Sequence, residues 1–300
     1  MQPEAPWGIK GLMFCSKCGA VNKDGSNYCH SCGAYLLSSG AEAETRTAEI
    51  NVAYPEAADL HLRIRVGACR LKIIPGDGAA WVTGAYQYPQ GALPLKIDRS
   101  GGKVTITQDY DVTGLGGLFR YTPRFELALG RVKAYALTLE AGASDVAVDL
   151  GGVPLKGLII KQGAGRAEFD FSAPNPQEMA SLTVNSGAVA LQMKNLDNAN
   201  FAEMTFDGGA ASYRFDFGGT LRRDAKAKIT TSLAPVGIHI PSATAAKVFE
   251  NTVAAALDIG DGLTKKGGAF LTEAAVAGKT PMLTIRANVS LGTLSLRSAE

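Results

Sequence analysis

Four cysteines near the start of the chain lie in two copies of one motif, Phe14-Cys15-Ser16-Lys17-Cys18-Gly19-Ala20 and Tyr28-Cys29-His30-Ser31-Cys32-Gly33-Ala34. A C-x-x-C pair spans one tight turn, so both sulfurs reach one ion at about 2.3 Å, and two such pairs complete a tetrahedral thiolate shell. Cys15, Cys18, Cys29 and Cys32 are therefore the expected ligands of one structural Zn2+ ion. Gly19 and Gly33 suit backbone with positive φ, which turns neighbouring amides toward the sulfurs. Between the knuckles, Asp24-Gly25 is a hairpin-turn signal. A segment this small buries too little apolar surface to fold alone, so metal binding has to supply its folding free energy. The other use of C-x-x-C, a thioredoxin-like dithiol, belongs in a βαβ context that is missing here. His30 stands beside a shell already complete and is expected in solvent.

The chain has 300 residues and a formal charge of +2, enough length for two domains. Its Lys and Arg form no stripe that could track phosphates, so nucleic acid is not an expected partner. The fifth cysteine, Cys69, sits in a strand-like run and reads as a half-buried or buried thiol. An all-thiolate shell favours a reducing compartment, which makes the expected location cytoplasmic. No run of about eighteen apolar residues occurs, so no transmembrane segment is expected. Residues 1–12 lack the pattern of a signal peptide, and they read as an upstream extension with Met13 as the start.

These motifs divide the chain into a zinc ribbon at 13–36, a linker at 37–48 and a long β domain at 49–300. Self-comparison of the β domain shows a repeat. Gly142-Ala143, Gly163-Ala164, Gly187-Ala188 and Gly209-Ala210 each join two alternating strands, with a weaker copy near Thr231 to Ile240. Val66 to Ile73 and Val289 to Leu296 are outlying relatives. Leu158-Ile160, Leu182-Val184 and Met204-Phe206 share one phase before the corner, and Val146-Val148-Leu150, Ala167-Phe169-Phe171 and Tyr213-Phe215-Phe217 share one after it. Stacked units would align these side chains into apolar ladders that no single unit could bury. The expected class is mainly β: a small zinc ribbon linked to a parallel β-solenoid of roughly 22-residue coils. The alternative is an antiparallel β-sandwich, which also gives short strands and frequent turns. The stretch from Ala243 to Leu257 fits a helix on propensity, but Val248, Phe249 and Val253 fit a strand.

Catalytic patterns are sparse. Asp149, Asp170 and Asp216 recur between apolar strand residues, where alternation points them outward rather than into a calcium loop. His61 and His239 are far apart, and no G-x-S-x-G elbow occurs. No catalytic residues are assigned, and an enzyme is not expected.

The block at 14–36 resembles the short zinc ribbons that precede many bacterial and archaeal proteins. The stretches Ala58-Asp59-Leu60, Leu71-Lys72-Ile73, Gly84-Ala85-Tyr86-Gln87-Tyr88, Pro94 and Val104-Thr105-Ile106-Thr107-Gln108 resemble the amino-terminal toast-rack domain of bacterial envelope-associated proteins. The repeats at 135–240 are similar to LiaF-like and adhesin-like solenoids. These resemblances imply a non-enzymatic scaffold: the ribbon docks a protein partner and the solenoid presents a rigid surface, in envelope-stress regulation. LiaF-like proteins carry membrane helices where this chain carries a ribbon. Self-association through exposed solenoid ends is a further expectation. The alternative is a carbohydrate-binding or carbohydrate-active solenoid, for which Tyr86, Tyr88 and Tyr110 are the candidate aromatics.

Overall fold

The computed structural model describes residues 12–15, 18–23, 26, 28–33, 45–89, 95–108 and 122–299. The expectations for 1–11, 37–44, the Asp24-Gly25 turn, Pro94 and Tyr110 fall outside them. The chain divides into two compact units, 1–44 and 45–300. In the first, strands β1 (Leu12–Phe14) and β2 (Val21–Lys23) form an antiparallel pair.

The second unit opens with β3 (Thr45–Val52), β4 (His61–Val66), β5 (Arg70–Pro75), β6 (Val82–Pro89), β7 (Leu95–Ser100), β8 (Lys103–Gln108) and β9 (Arg124–Leu129). Long strands follow: β10 (Tyr135–Asp149), β11 (Leu155–Asp170), β12 (Met179–Lys194), β13 (Phe201–Ala210), β14 (Ser212–Asp216), β15 (Ala225–Pro241) and β16 (Ala246–Ile259). The chain then forms β17 (Leu263–Lys266), β18 (Ala269–Thr272), the single-turn helix α1 (Glu273–Val276) and β19 (Leu283–Ala299). The mainly β expectation holds. β3 begins at Thr45, so residues 45–48 of the expected linker are strand. Their weak local pattern is overridden by pairing with β6, where Arg46 faces Tyr88 and Ala48 faces Tyr86.

The long strands stack in parallel, which departs from the antiparallel alternative. Leu137 lies against Leu158, Leu158 against Leu182, Leu182 against Met204 and Met204 against Ala227. The column extends backward through Leu62 to Val104, so β4 and β8 supply earlier rungs. A second column behind the corner runs Phe125, Leu71, Val146, Ala167, Leu191, Tyr213, Val236 and Leu294, all buried. Each side chain is covered by those of the rungs on either side, so the apolar surface is removed from water by the stack as a whole.

The corner glycines form their own ladder. A Cβ on Gly163 would lie 3.3 Å from the Gly142 carbonyl oxygen, and one on Gly209 would lie 3.0 Å from that of Gly187. A Cβ on Gly187 would fall well inside contact with the carbonyl oxygen of Gly163. Gly67 stacks below Gly142 in the same way and belongs to the series. Close backbone approach at the bend thus favours glycine along the series and requires it at Gly187.

Two features depart from simple coil order. The segment that fits a helix on propensity is β16, paired along its length with β19. β19 itself inserts between β15 and β16, with Ala227 on one side of Ile285 and Val248 on the other. The residues explain the exchange. β19 supplies buried Leu283, Ile285, Ala287, Val289, Leu294 and Leu296, a face that needs cover on both sides. β16 places Glu250 at the level of buried Ala287, and a charge at an inward position suits an outer strand. Val253 on this strand is 82% exposed.

The segments that connect the long strands carry buried polar side chains. Buried Asn175 donates to the carbonyls of Leu155 and Ala199 and accepts from the amides of Leu155 and Gln177. Nearby Asp197 is 1% exposed; one carboxylate oxygen accepts from Thr244 Oγ1 at 3.3 Å, and the other has no protein partner. Burial, with Asp216 adding repulsion, pushes this carboxyl up to about 8 despite the Thr244 bond. Asp197 therefore stays protonated in the fold through pH values at which the unfolded chain has ionised. Its contribution is fully present below about pH 4, the unfolded value, and is lost as pH rises toward 8. Asp197→Asn should gain on the wild type by about 1 kcal/mol or more between pH 5 and pH 8. Denaturant melts across that range check this, and parallel pH curves for the two proteins would contradict it.

Candidate metal centre

The first knuckle is carried by the β1–β2 hairpin. The Cys15 backbone N–H donates to the Ala20 carbonyl at 2.9 Å and closes the loop. Gly19 N–H donates to the Cys15 carbonyl at 2.8 Å, and Gly33 N–H donates to that of Cys29 at 2.9 Å, so the two knuckles share one turn geometry. Gly19 and Gly33 adopt φ of 72° and 66°, as their place in the motif predicts.

This construction gathers four sulfurs. Cys15, Cys18, Cys29 and Cys32 have ligand atoms all within 4.8 Å of one another. Cys15 Sγ lies 3.7 Å from Cys32 Sγ, and Cys18 Sγ lies 3.6 Å from Cys29 Sγ. A tetrahedron with metal–sulfur bonds of about 2.3 Å has edges of about 3.8 Å, whereas a disulfide holds its sulfurs about 2.05 Å apart. The spacing therefore fits a shared ion, and the four residues could hold one. Cys15 and Cys29 are buried, while Cys18 and Cys32 are exposed.

Asn22 is the supporting residue that the motif does not reveal. Its side-chain amide donates to Ala20 O at 2.8 Å and to Cys29 Sγ at 3.6 Å. Its Oδ1 accepts the His30 backbone N–H at 2.9 Å and lies 2.9 Å from His30 Nδ1. Asn22 is 3% exposed, so a polar side chain buried in this small unit ties the hairpin to the second knuckle. His30 is exposed and outside the sulfur cluster, as its position predicts. The signal available in the sequence was only the polar Asn in an otherwise β-like triplet.

The electrostatics favour a cation. Burial raises the Cys29 thiol, but donors from the Cys32 and Ser31 amides and Asn22 outweigh it and leave the group at about 6. The Ala20 amide lowers Cys18, yet the facing sulfurs of Cys32, Cys29 and Cys15 push it up to about 12. Crowded thiols thus share protons, and a bound cation replaces those protons with a positive charge at the centre. Such binding is proton-coupled and weakens in acid.

Elsewhere, the expected residues do not converge. His61 Nε2 meets Thr138 Oγ1 at 2.9 Å, and His239 Nδ1 meets Asp216 Oδ2 at 3.2 Å on a distant rung. Asp149 accepts from Gly151 N and Ser172 Oγ, and Asp170 accepts from Asn195 Nδ2. The recurring aspartates therefore close rung ends and pair along the stack. Cys69 is buried beside Ser144, and burial raises its thiol to about 11. Tyr86 stacks on Phe125 and Tyr88 at centroid distances of 4.2 and 4.7 Å, which makes both tyrosines packing residues. Among the described residues, no helix is long and apolar enough to cross a membrane.

The metal assignment makes a direct expectation for the intact protein. Elemental analysis should find one tightly bound ion per chain, lost in Cys29→Ser. Chelation should abolish amide protection at 12–33 and leave 135–299 protected. Retained protection at 12–33 in chelator would contradict a metal-closed unit.

No curated protein matches the chain. Among solved structures, a proposed cell adhesion protein from Clostridium sporogenes is 13% identical with a TM-score of 0.46, covering 86% of this chain and 100% of its own. A proposed adhesin from Bacteroides fragilis is 9% identical with a TM-score of 0.40, covering 85% and 97%. Likeness at this level assigns neither a partner nor an activity. Residues 40–180 match the family model of the N-terminal domain of toast_rack, DUF2154, a span that includes β3 to β11. Residues 40–180 are thus similar to a toast-rack N-terminal domain.

Proposed function

We propose that this is a non-enzymatic interaction protein, in which a zinc-closed ribbon docks a protein partner and the parallel β stack presents a rigid surface. The observation that carries this reading is the all-thiolate cluster of Cys15, Cys18, Cys29 and Cys32 at tetrahedral spacing. Four protein ligands fill a zinc shell and leave no position for substrate, which is the arrangement of a structural ion. Thiolates prefer Zn2+ over harder divalent ions, and they survive in a reducing compartment, so we place the protein in the cytoplasm. The likeness to a toast-rack domain supports a setting in envelope-stress regulation.

Carbohydrate binding is the weaker reading, because Tyr86 is 1% exposed and its ring is committed to Phe125 and Tyr88. Affinity purification of the full chain at native abundance tests the proposal. A stoichiometric protein captured by the wild type and lost with Cys29→Ser is the expected result. Capture that survives Cys29→Ser would contradict docking by the ribbon, and the absence of any stoichiometric protein would contradict the interaction reading.

A further inference from the structure

The outward face of the sheet behind the glycine corner carries a groove of about 590 Å³, which continues toward the earlier rungs through a hollow sharing Arg166, Glu168 and Ala190. Its floor is built from small side chains: Ala190, Ser212, Pro235 and Gly237. Arg166 and Arg214 rise from it. Other charges on this surface are paired, as in Lys194 with Glu168 at 2.6 Å and Arg297 with Asp258 at 2.5 Å. The guanidinium groups of Arg166 and Arg214 have no hydrogen-bond or ion-pair partner among the described residues.

Gly237 is the second, independent observation. It lies within β15, between buried Val236 and Ile238, directly beside Arg214 and Ser295. It has no positive φ, and, unlike at the corner glycines, a Cβ added there would meet nothing within 4 Å. The fold therefore does not require glycine at this position. A glycine inside a strand costs about 0.5–1 kcal/mol relative to alanine, and one that backbone geometry does not explain marks a place where another chain or ligand comes close. Here the missing side chain keeps open the floor next to an unpaired guanidinium.

We propose that this groove binds an extended acidic peptide segment of a protein partner, with Arg166 and Arg214 each holding a carboxylate. Arg166 registers with Ala190 and Ala190 with Ser212, so Arg214 stands two rungs and two residues away from Arg166. With rungs about 4.8 Å apart and about 3.4 Å per residue, the two backbone positions are separated by about 12 Å. An extended peptide spans about 13 Å between residues i and i+4, and those two side chains share one face. Arginine forks pair bidentately with carboxylates. A peptide fits this groove better than an acidic glycan because, among the described residues that line it, no exposed Trp, Tyr or Phe ring offers a platform for sugars. Tyr213 lines the groove but is 2% exposed, with its hydroxyl donating to Gly187 O at 3.1 Å. The inference rests on the interaction reading above and names a second contact surface for it.

The test uses the full chain and a fluorescein-labelled peptide of serine and threonine with two glutamates four residues apart. Fluorescence anisotropy should show saturable binding that weakens steeply with added salt and disappears when both glutamates become glutamine. Arg166→Ala with Arg214→Ala should weaken binding by at least about tenfold. Gly237→Val should do the same by filling the floor, with an unchanged circular dichroism spectrum and an equal or higher melting temperature. Either variant binding as tightly as the wild type would overturn the proposal. So would oligogalacturonate binding through the two arginines while the peptide does not bind. These results stand apart from partner capture by the ribbon: a partner still lost with Cys29→Ser keeps the interaction reading whatever the groove does.

Discussion

The structure depends on how closely successive backbones approach at one bend. At the corner, Gly67, Gly142, Gly163, Gly187 and Gly209 stack so closely that an added Cβ would press on the backbone of the preceding rung, most severely at Gly187. That approach lets each long strand turn while staying in register with its neighbours on both sides of the corner. With register held, a period of two sends the same positions inward on every rung. The columns headed by Val104 and Phe125 follow from that, and so does the burial of their side chains. A slip of one residue would turn both columns to solvent at once.

The small unit obeys a different constraint. Its described core consists of Cys15 and Cys29 with Ala20 against them, far too little apolar surface to offset the entropy of ordering the chain. The knuckle turns, the Asn22 bonds and the sulfur spacing are instead arranged around a shared centre. One chain thus combines a unit held by stacked backbone with one that needs a cation. The groove shows how the stack can serve recognition: outward positions are free of the packing rule, so Arg166, Arg214 and Gly237 can be set by what they touch.

Much of this was legible in the residues because the same phase recurs. The glycine corners, the apolar columns and the cysteine spacing are local patterns, and the structure places each where its pattern implies. Three things were hidden. Residues 45–48 become strand only because β6 is available to pair with them. The insertion of β19 between β15 and β16 depends on comparing two strands distant in sequence, one with an uninterrupted inward face and one carrying Glu250. Asn22 supports the sulfurs through bonds to Ala20, Cys29 and His30, and nothing in its spacing distinguishes it from an ordinary polar residue.

Strand order at the end of the stack tests the account most directly, since register and core both follow from it. Lys228 and Arg286 are exposed neighbours in register on β15 and β19, whereas Phe249 on β16 lies one rung beyond Arg286. Cysteines introduced at 228 and 286 in a Cys69→Ser background should oxidise to a disulfide, because adjacent rungs bring their Cα atoms within bridging distance of about 4.8 Å. Cysteines at 228 and 249, about 9.6 Å apart across two rungs, should remain reduced. A ready 228–249 bridge with no 228–286 bridge, read by mass mapping of the oxidised chain, would mean that the coils stack in simple sequence order and would contradict the architecture described.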